Sequence, residues 1–106
     1  MGLDGRVIAQ IVERITSVSS PVRVILFGSA AAGKMTRDSD IDLLVVEDSP
    51  ASTRERSVCI RAALRGMGYA FDVIVMPVER FEESKEVVGG LAYPAHKYGK
   101  VIYEAA

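Results

Sequence analysis

The sequence predicts an α/β (α+β) fold, a small mixed sheet flanked by helices, in a single domain over residues 1–106. Three observations carry that reading. Val7, Ile8, Ile11, Val12, Ile15 and Val18 recur at helical spacing. Val22 to Phe27 and residues 40–47 are short, nearly continuous apolar runs rich in β-branched residues, the pattern of strands buried on both faces. These two kinds of segment alternate without repeats, low-complexity tracts or linkers. At 106 residues there is chain enough for one core and not for two.

Residues 4–19 read as an amphipathic helix with Asp4 as N-cap, ended by Pro21. The strand Val22 to Phe27 follows and delivers Gly28-Ser29 at its tip. Ala30 to Ala32 has room for one helical turn, and Gly33 to Ser39 is a polar loop. A second strand covers 40–47, and Ser49-Pro50 breaks the chain. Ser52 and Glu55 have capping-box spacing, which starts a helix running to about Gly66. Gly66-Met67-Gly68 turns into a third strand, Tyr69 to Met76, with Asp72 inside it. Pro77 suits the first position of a helix over 77–88, stopped by Gly89-Gly90. A short helix near Pro94 to Tyr98 and an extended piece, Lys100 to Tyr103, complete the reading.

Composition narrows the function classes. A net charge of −1 offers no basic excess to neutralise phosphates, so direct nucleic-acid binding is not expected. One cysteine, Cys59, excludes an internal disulfide and fits a reducing compartment. The start of the chain does not read as a signal peptide, and no apolar run approaches the roughly 20 residues that cross a bilayer. A cytoplasmic protein without membrane association is the expectation.

The chemistry concentrates in Gly28-Ser29, ten intervening residues, then Asp40-Ile41-Asp42 at the head of Leu43-Leu44-Val45-Val46. Side chains at i and i+2 of a strand share a face, so Asp40 and Asp42 are expected to project side by side. Two like charges beside an apolar run lose solvation and repel, a situation relieved by a cation between them. An oxygen-only donor set favours Mg²⁺, which keeps waters and shares its sphere with substrate phosphates. The Gly28-Ser29 turn supplies amides that can face those phosphates. Asp72, interrupting Tyr69-Ala70-Phe71 and Val73-Ile74-Val75, is expected to converge as a third carboxylate. In two-metal phosphoryl chemistry such a residue helps bind the catalytic ion and can take the proton of the attacking hydroxyl.

A second motif overlaps the loop. Gly28-Ser29-Ala30-Ala31-Ala32-Gly33-Lys34 matches G-x-x-x-x-G-K, the phosphate loop of P-loop ATPases. That motif needs Ser or Thr next, to reach Mg²⁺, and Met35 stands there. The loop also leads into a strand rather than into the long helix a P-loop opens.

The pattern Gly28-Ser29…Ser39-Asp40-Ile41-Asp42-Leu43-Leu44-Val45 with a later Asp72 resembles the nucleotidyltransferase superfamily that includes DNA polymerase β. Over nearly its full length, with the closing Gly99-Lys100-Val101-Ile102-Tyr103-Glu104, the chain is similar to minimal nucleotidyltransferase (MNT) domains, usually encoded beside a HEPN-domain partner. The resemblance implies a nucleotidyltransferase fold, two Mg²⁺ ions on Asp40, Asp42 and Asp72, and a triphosphate, ATP, on Gly28 and Ser29. It implies transfer of AMP to a hydroxyl of a partner protein, the role of the antitoxin in a HEPN–MNT toxin–antitoxin pair. Many members carry arginines within the loop, where Ala30 and Ala32 stand here; Lys34 or Arg37 would have to compensate.

The rival reading is a non-catalytic binding module that neutralises or scaffolds a partner, for which the missing loop arginines speak and against which the three aspartates speak. His96 reads as a solvated side chain and Cys59 as packing. Arg54, Arg56, Arg61 and Arg65 give the second helix a basic side, either a solvated face or a contact for an acidic partner. A homodimer through Val87-Val88 and Leu91 stays open, as does the packing of those residues in the core.

Overall fold

The computed structural model describes residues 3–36 and 38–106. In chain order the elements are α1 (Gly5–Val18), β1 (Arg23–Phe27), β2 (Ile41–Glu47), α2 (Thr53–Ala63), β3 (Phe71–Pro77), α3 (Val78–Ser84), α4 (Ala92–Tyr98) and β4 (Lys100–Glu104). The strands form one mixed sheet, as the sequence predicts, and its order is β3-β2-β1-β4. β1 lies antiparallel to both β2 and β4, while β2 and β3 run parallel, joined through α2.

Alternation along the strands divides the core in two. Val24, Leu26, Ile41, Leu43, Val45, Val73 and Val75 face α1 and α2, where Ile11, Ile15, Ile60 and Leu64 meet them. On the opposite face Ile25, Leu44, Val46 and Met76 pack beneath Phe81 of α3 and Ala92 and Ala95 of α4. Buried on both sides, β2 is apolar from Leu43 to Val46, with half-buried Asp42 near one end and buried Glu47 at the other.

The caps read from sequence are present. The Asp4 carboxylate accepts from the N–H groups of Arg6 (2.8 Å) and Val7 (3.0 Å), and Ser52 Oγ accepts from Glu55 N–H (3.2 Å). α2 ends at Ala63, short of Gly66, because Arg14 of α1 donates to the carbonyls of Ala63 (3.2 Å) and Arg65 (2.8 Å) and ties off the helix there. The helix expected over 77–88 is shorter. Pro77 is the last residue of β3 and caps a helix that stops at Ser84. Beyond Phe81 no side chain of that stretch reaches the core, and Val87 and Val88 are 54% and 79% exposed. Another turn would therefore rest on β-branched propensity alone.

At the far end of β2, Glu47 is buried and accepts from Ser19 Oγ, while Arg56 Nε approaches its carboxylate at 3.4 Å. Arg56 also donates to the Val18 carbonyl at 2.6 Å, so one arginine fastens α1, β2 and α2 together.

Candidate active site

The site gathers where β1 ends and β2 and β3 begin. Antiparallel pairing puts Phe27 opposite Asp42, and parallel pairing puts Asp42 opposite Asp72. Phe27, Asp42 and Asp72 thus stand in register across three neighbouring strands, each step about 5 Å, and Gly28, the next residue after Phe27, lies against the Asp42 carboxylate. Asp42 shares its face with Leu44 and Val46, the face covered by α3 and α4. Those helices are seven residues each, about 10 Å long, and lie over the apolar part of the face. Asp72 is exposed and Asp42 half-buried, open to an incoming ligand.

Gly28 adopts φ 72°, in the left-handed region, and a Cβ at this position would run into the Asp42 carboxylate. The sharp turn and the aspartate are therefore built against each other. After Gly28 the chain closes a single turn: Ala32 N–H donates to Gly28 C=O (3.1 Å) and Lys34 N–H to Ser29 C=O (2.9 Å). The N–H groups of Ser29, Ala30 and Ala31 have no backbone acceptor among the described residues, the arrangement that lets a helical first turn receive an anion. Ala30 is 4% exposed and packs into the core, so this position has no room for a loop arginine. Lys34 is exposed at the end of the turn; Arg37 lies outside the described residues.

Asp40 sits just ahead of β2 rather than inside it, and Ile41 N–H donates to the Ala70 carbonyl (2.8 Å), which pins this entrance to that of β3. Asp40 is exposed and lines, with Asp72, a hollow beside the start of β3. The three carboxylates still feel one another. Burial raises the Asp42 carboxyl above its ordinary value, and the charges of Asp72 and then Asp40 raise it further.

Such a carboxylate set fits a divalent hard cation, since oxygen donors and unrelieved like charge are present together. Among the described residues no three acidic, histidine or cysteine side chains close into a ready cage, and a Mg²⁺ site of this kind completes its sphere with water and substrate phosphate.

Sequence reasoning did not identify the cavity on the other side of Asp72. About 620 Å³ in volume, it lies between the end of α2 and the start of β3, and Asp40, Asp72, Arg61, Arg65, Tyr69 and Phe71 contribute to its wall. Tyr69 stacks edge-on against Phe71, with ring centroids 6.4 Å apart. The available signal was the i, i+4 spacing of Arg61 and Arg65 just ahead of Gly66. Of the arginines on and just after this helix, Arg56 is committed to Glu47 and Val18, whereas the Arg61 and Arg65 side chains have no partner among the described residues. His96 and Cys59 lie away from the aspartates; His96 is exposed, edge-on to Phe81, and Cys59 is half-buried on α2. Val87, Val88 and Leu91 are exposed, so core packing does not account for them. No helix is long and apolar enough to cross a membrane among the described residues.

Comparison with known proteins bears on the fold and the family. A Methanocaldococcus jannaschii protein described as a candidate protein adenylyltransferase is 34% identical over 56 residues, 53% of this chain and 56% of the relative. The chain thus matches about half the length of that curated relative. Among solved structures, a toxin–antitoxin complex with AMP-PNP superposes with a TM-score of 0.66 at 20% identity, covering 92% of this chain and 73% of the other. A candidate nucleotidyltransferase of Sulfolobus solfataricus gives a TM-score of 0.61 at 24% identity, covering 92% and 78%. These likenesses establish the fold. The family model for the nucleotidyltransferase domain matches residues 6–97, nearly the whole chain, and the protein belongs to that family.

Proposed function

We propose that this domain transfers a nucleoside monophosphate, AMP from ATP, to a hydroxyl of a partner protein, with Mg²⁺ and with Asp40, Asp42 and Asp72 as the metal-binding and catalytic residues. The observation that carries the reading is two carboxylates, Asp42 and Asp72, set opposite each other by sheet register, with the Gly28 turn packed against Asp42.

In this mechanism the amides following Gly28 and the Ser29 hydroxyl hold the β- and γ-phosphates, and the loop sequence offers Lys34 and Arg37 as the cations for them. The acceptor oxygen bonds to the α-phosphorus, the bridging bond from that phosphorus to the β-phosphate oxygen breaks, and pyrophosphate leaves. Asp72 accepts the hydroxyl proton and passes it to solvent. Two Mg²⁺ ions on the three aspartates would supply charge neutralisation on the phosphates and a more acidic acceptor hydroxyl. Positioning and charge neutralisation account for nearly all of the catalysis, so each carboxylate matters.

The acceptor is expected on another protein, and a HEPN-domain toxin is the partner we propose. The likeness to a toxin–antitoxin structure supports a partner of that kind, and its AMP-PNP supports an adenine nucleotide. The test is label transfer from α-labelled ATP and Mg²⁺ by wild type and Asp40→Asn, with and without the product of the neighbouring gene. Label on the partner, lost in the variant, supports protein nucleotidylation. Tight partner binding with no label from any nucleotide would replace this reading with a non-catalytic module.

A further inference from the structure

The cavity beyond Asp72 has no part in holding the triphosphate in the scheme above, yet it abuts two of the three aspartates. In-line displacement puts the attacking and leaving oxygens on opposite sides of the phosphorus. The sheet order β3-β2-β1 gives those sides an address. With the leaving pyrophosphate at Gly28-Ser29, beyond β1, and the α-phosphorus over Asp42 of β2, the hydroxyl must arrive from the β3 side. That is where the cavity opens, with Asp72 at its inner wall.

Its outer wall is cationic. Arg61 lies in the last turn of α2 and Arg65 in the turn that follows it, and neither side chain has a hydrogen bond or ion pair among the described residues. Arg14 fixes the backbone beneath them by binding the Ala63 and Arg65 carbonyls. Tyr69, packed on Phe71, adds an apolar side. Planar guanidinium groups left without partners suit carboxylates, which they can grip through two parallel hydrogen bonds.

Resting on the nucleotidyl-transfer reading, we propose that this cavity is the acceptor entrance and that Arg61 and Arg65 select a hydroxyl-bearing segment with acidic side chains beside the acceptor. A nucleobase carries no charge for these arginines to meet. A nucleic-acid strand needs a longer basic track than two residues on a chain of net charge −1. An acidic peptide can offer a carboxylate to each of the two cations.

The test first asks whether wild type releases pyrophosphate from ATP with Mg²⁺. No release in any arm removes the nucleotidyl-transfer reading itself. Given release, α-labelled ATP is offered with synthetic peptides carrying one Ser, Thr or Tyr flanked by Asp and Glu, the same peptides flanked by Lys, and a short oligonucleotide. The expected result is a preference of about tenfold or more for acidic flanks, the scale of one charge-assisted contact. In Arg61→Glu/Arg65→Glu the preference should turn towards lysine flanks, a reversal that mere loss of structure would not produce. Arg61→Gln and Arg65→Gln, each checked by thermal melt, should weaken the preference singly. Labelling indifferent to flanking charge, a preference unchanged in the double variant, label on the oligonucleotide instead, or pyrophosphate release with no peptide labelled would each overturn the acceptor assignment while leaving the transfer reading in place.

Discussion

Asp42 and Asp72 are direct register partners across the parallel β2–β3 pair, and each is the second residue of its strand. Two carboxylates one strand spacing apart repel, and no cation of the described chain makes an ion pair with either. A fold keeps such a pair at a cost, which a bound divalent ion removes.

Replacing Asp42 with Asn keeps the shape and removes the charge. Pyrophosphate release should fall by about 10²-fold or more, on the scale of deleting one transition-state electrostatic contact. Circular dichroism should be unchanged. A variant with near wild-type turnover would remove Asp42 from the metal site.

The same residue controls a pH effect on stability. Burial, then Asp72, then Asp40, raise the Asp42 carboxyl above its unfolded value of 3.8. The folded chain therefore holds that proton to higher pH than the unfolded one, and ionisation subtracts stability as pH rises through the folded value. Asp42→Asn should melt higher than wild type at pH 7, and the gain should vanish below about pH 3. Adding Mg²⁺ at pH 7 should raise the melting temperature of wild type but have little effect on the variant. A thermal melt series across pH, with and without the ion, reads both.

Gly28→Ala tests whether turn and carboxylate are built against each other. The positive φ alone costs about 1–2 kcal/mol for an L-residue, and the new methyl would press on the Asp42 carboxylate. Lower melting temperature together with lost nucleotide affinity is expected. Binding equal to wild type would show that the loop adapts.

Arg56→Ala separates stability from chemistry. It strands the buried Glu47 at the opposite end of β2 from Asp42. A loss of about 2 kcal/mol is expected, below the range for fully buried pairs because Arg56 is partly exposed. In the variant that remains folded, the KM for ATP should match wild type.

Much of this was legible because it is local. Asp4 and Ser52 announce their helices by short spacing, and the Gly28-Ser29 to Asp40-Ile41-Asp42 interval marks strand, turn and strand. Long-range pairing was less accessible. The sequence puts Asp72 in a strand, but only the parallel β2–β3 register sets it opposite Asp42. The extent of α3 depended on what lay above it: Val87 and Val88 look like helix interior until no core is found to cover them. Arg61 and Arg65 read as a solvated face because their neighbours, Tyr69 and Asp72, arrive only when α2 crosses back to the sheet.

Transfer at the α-phosphorus is read out by the fate of two labels. ATP labelled at the α- or at the γ-phosphate is incubated with Mg²⁺, the protein and its partner. The expected result is α-label bound to the partner and γ-label recovered in pyrophosphate, both lost in Asp42→Asn. Label bound to the partner from γ-labelled ATP, or transfer that survives in the variant, would contradict it.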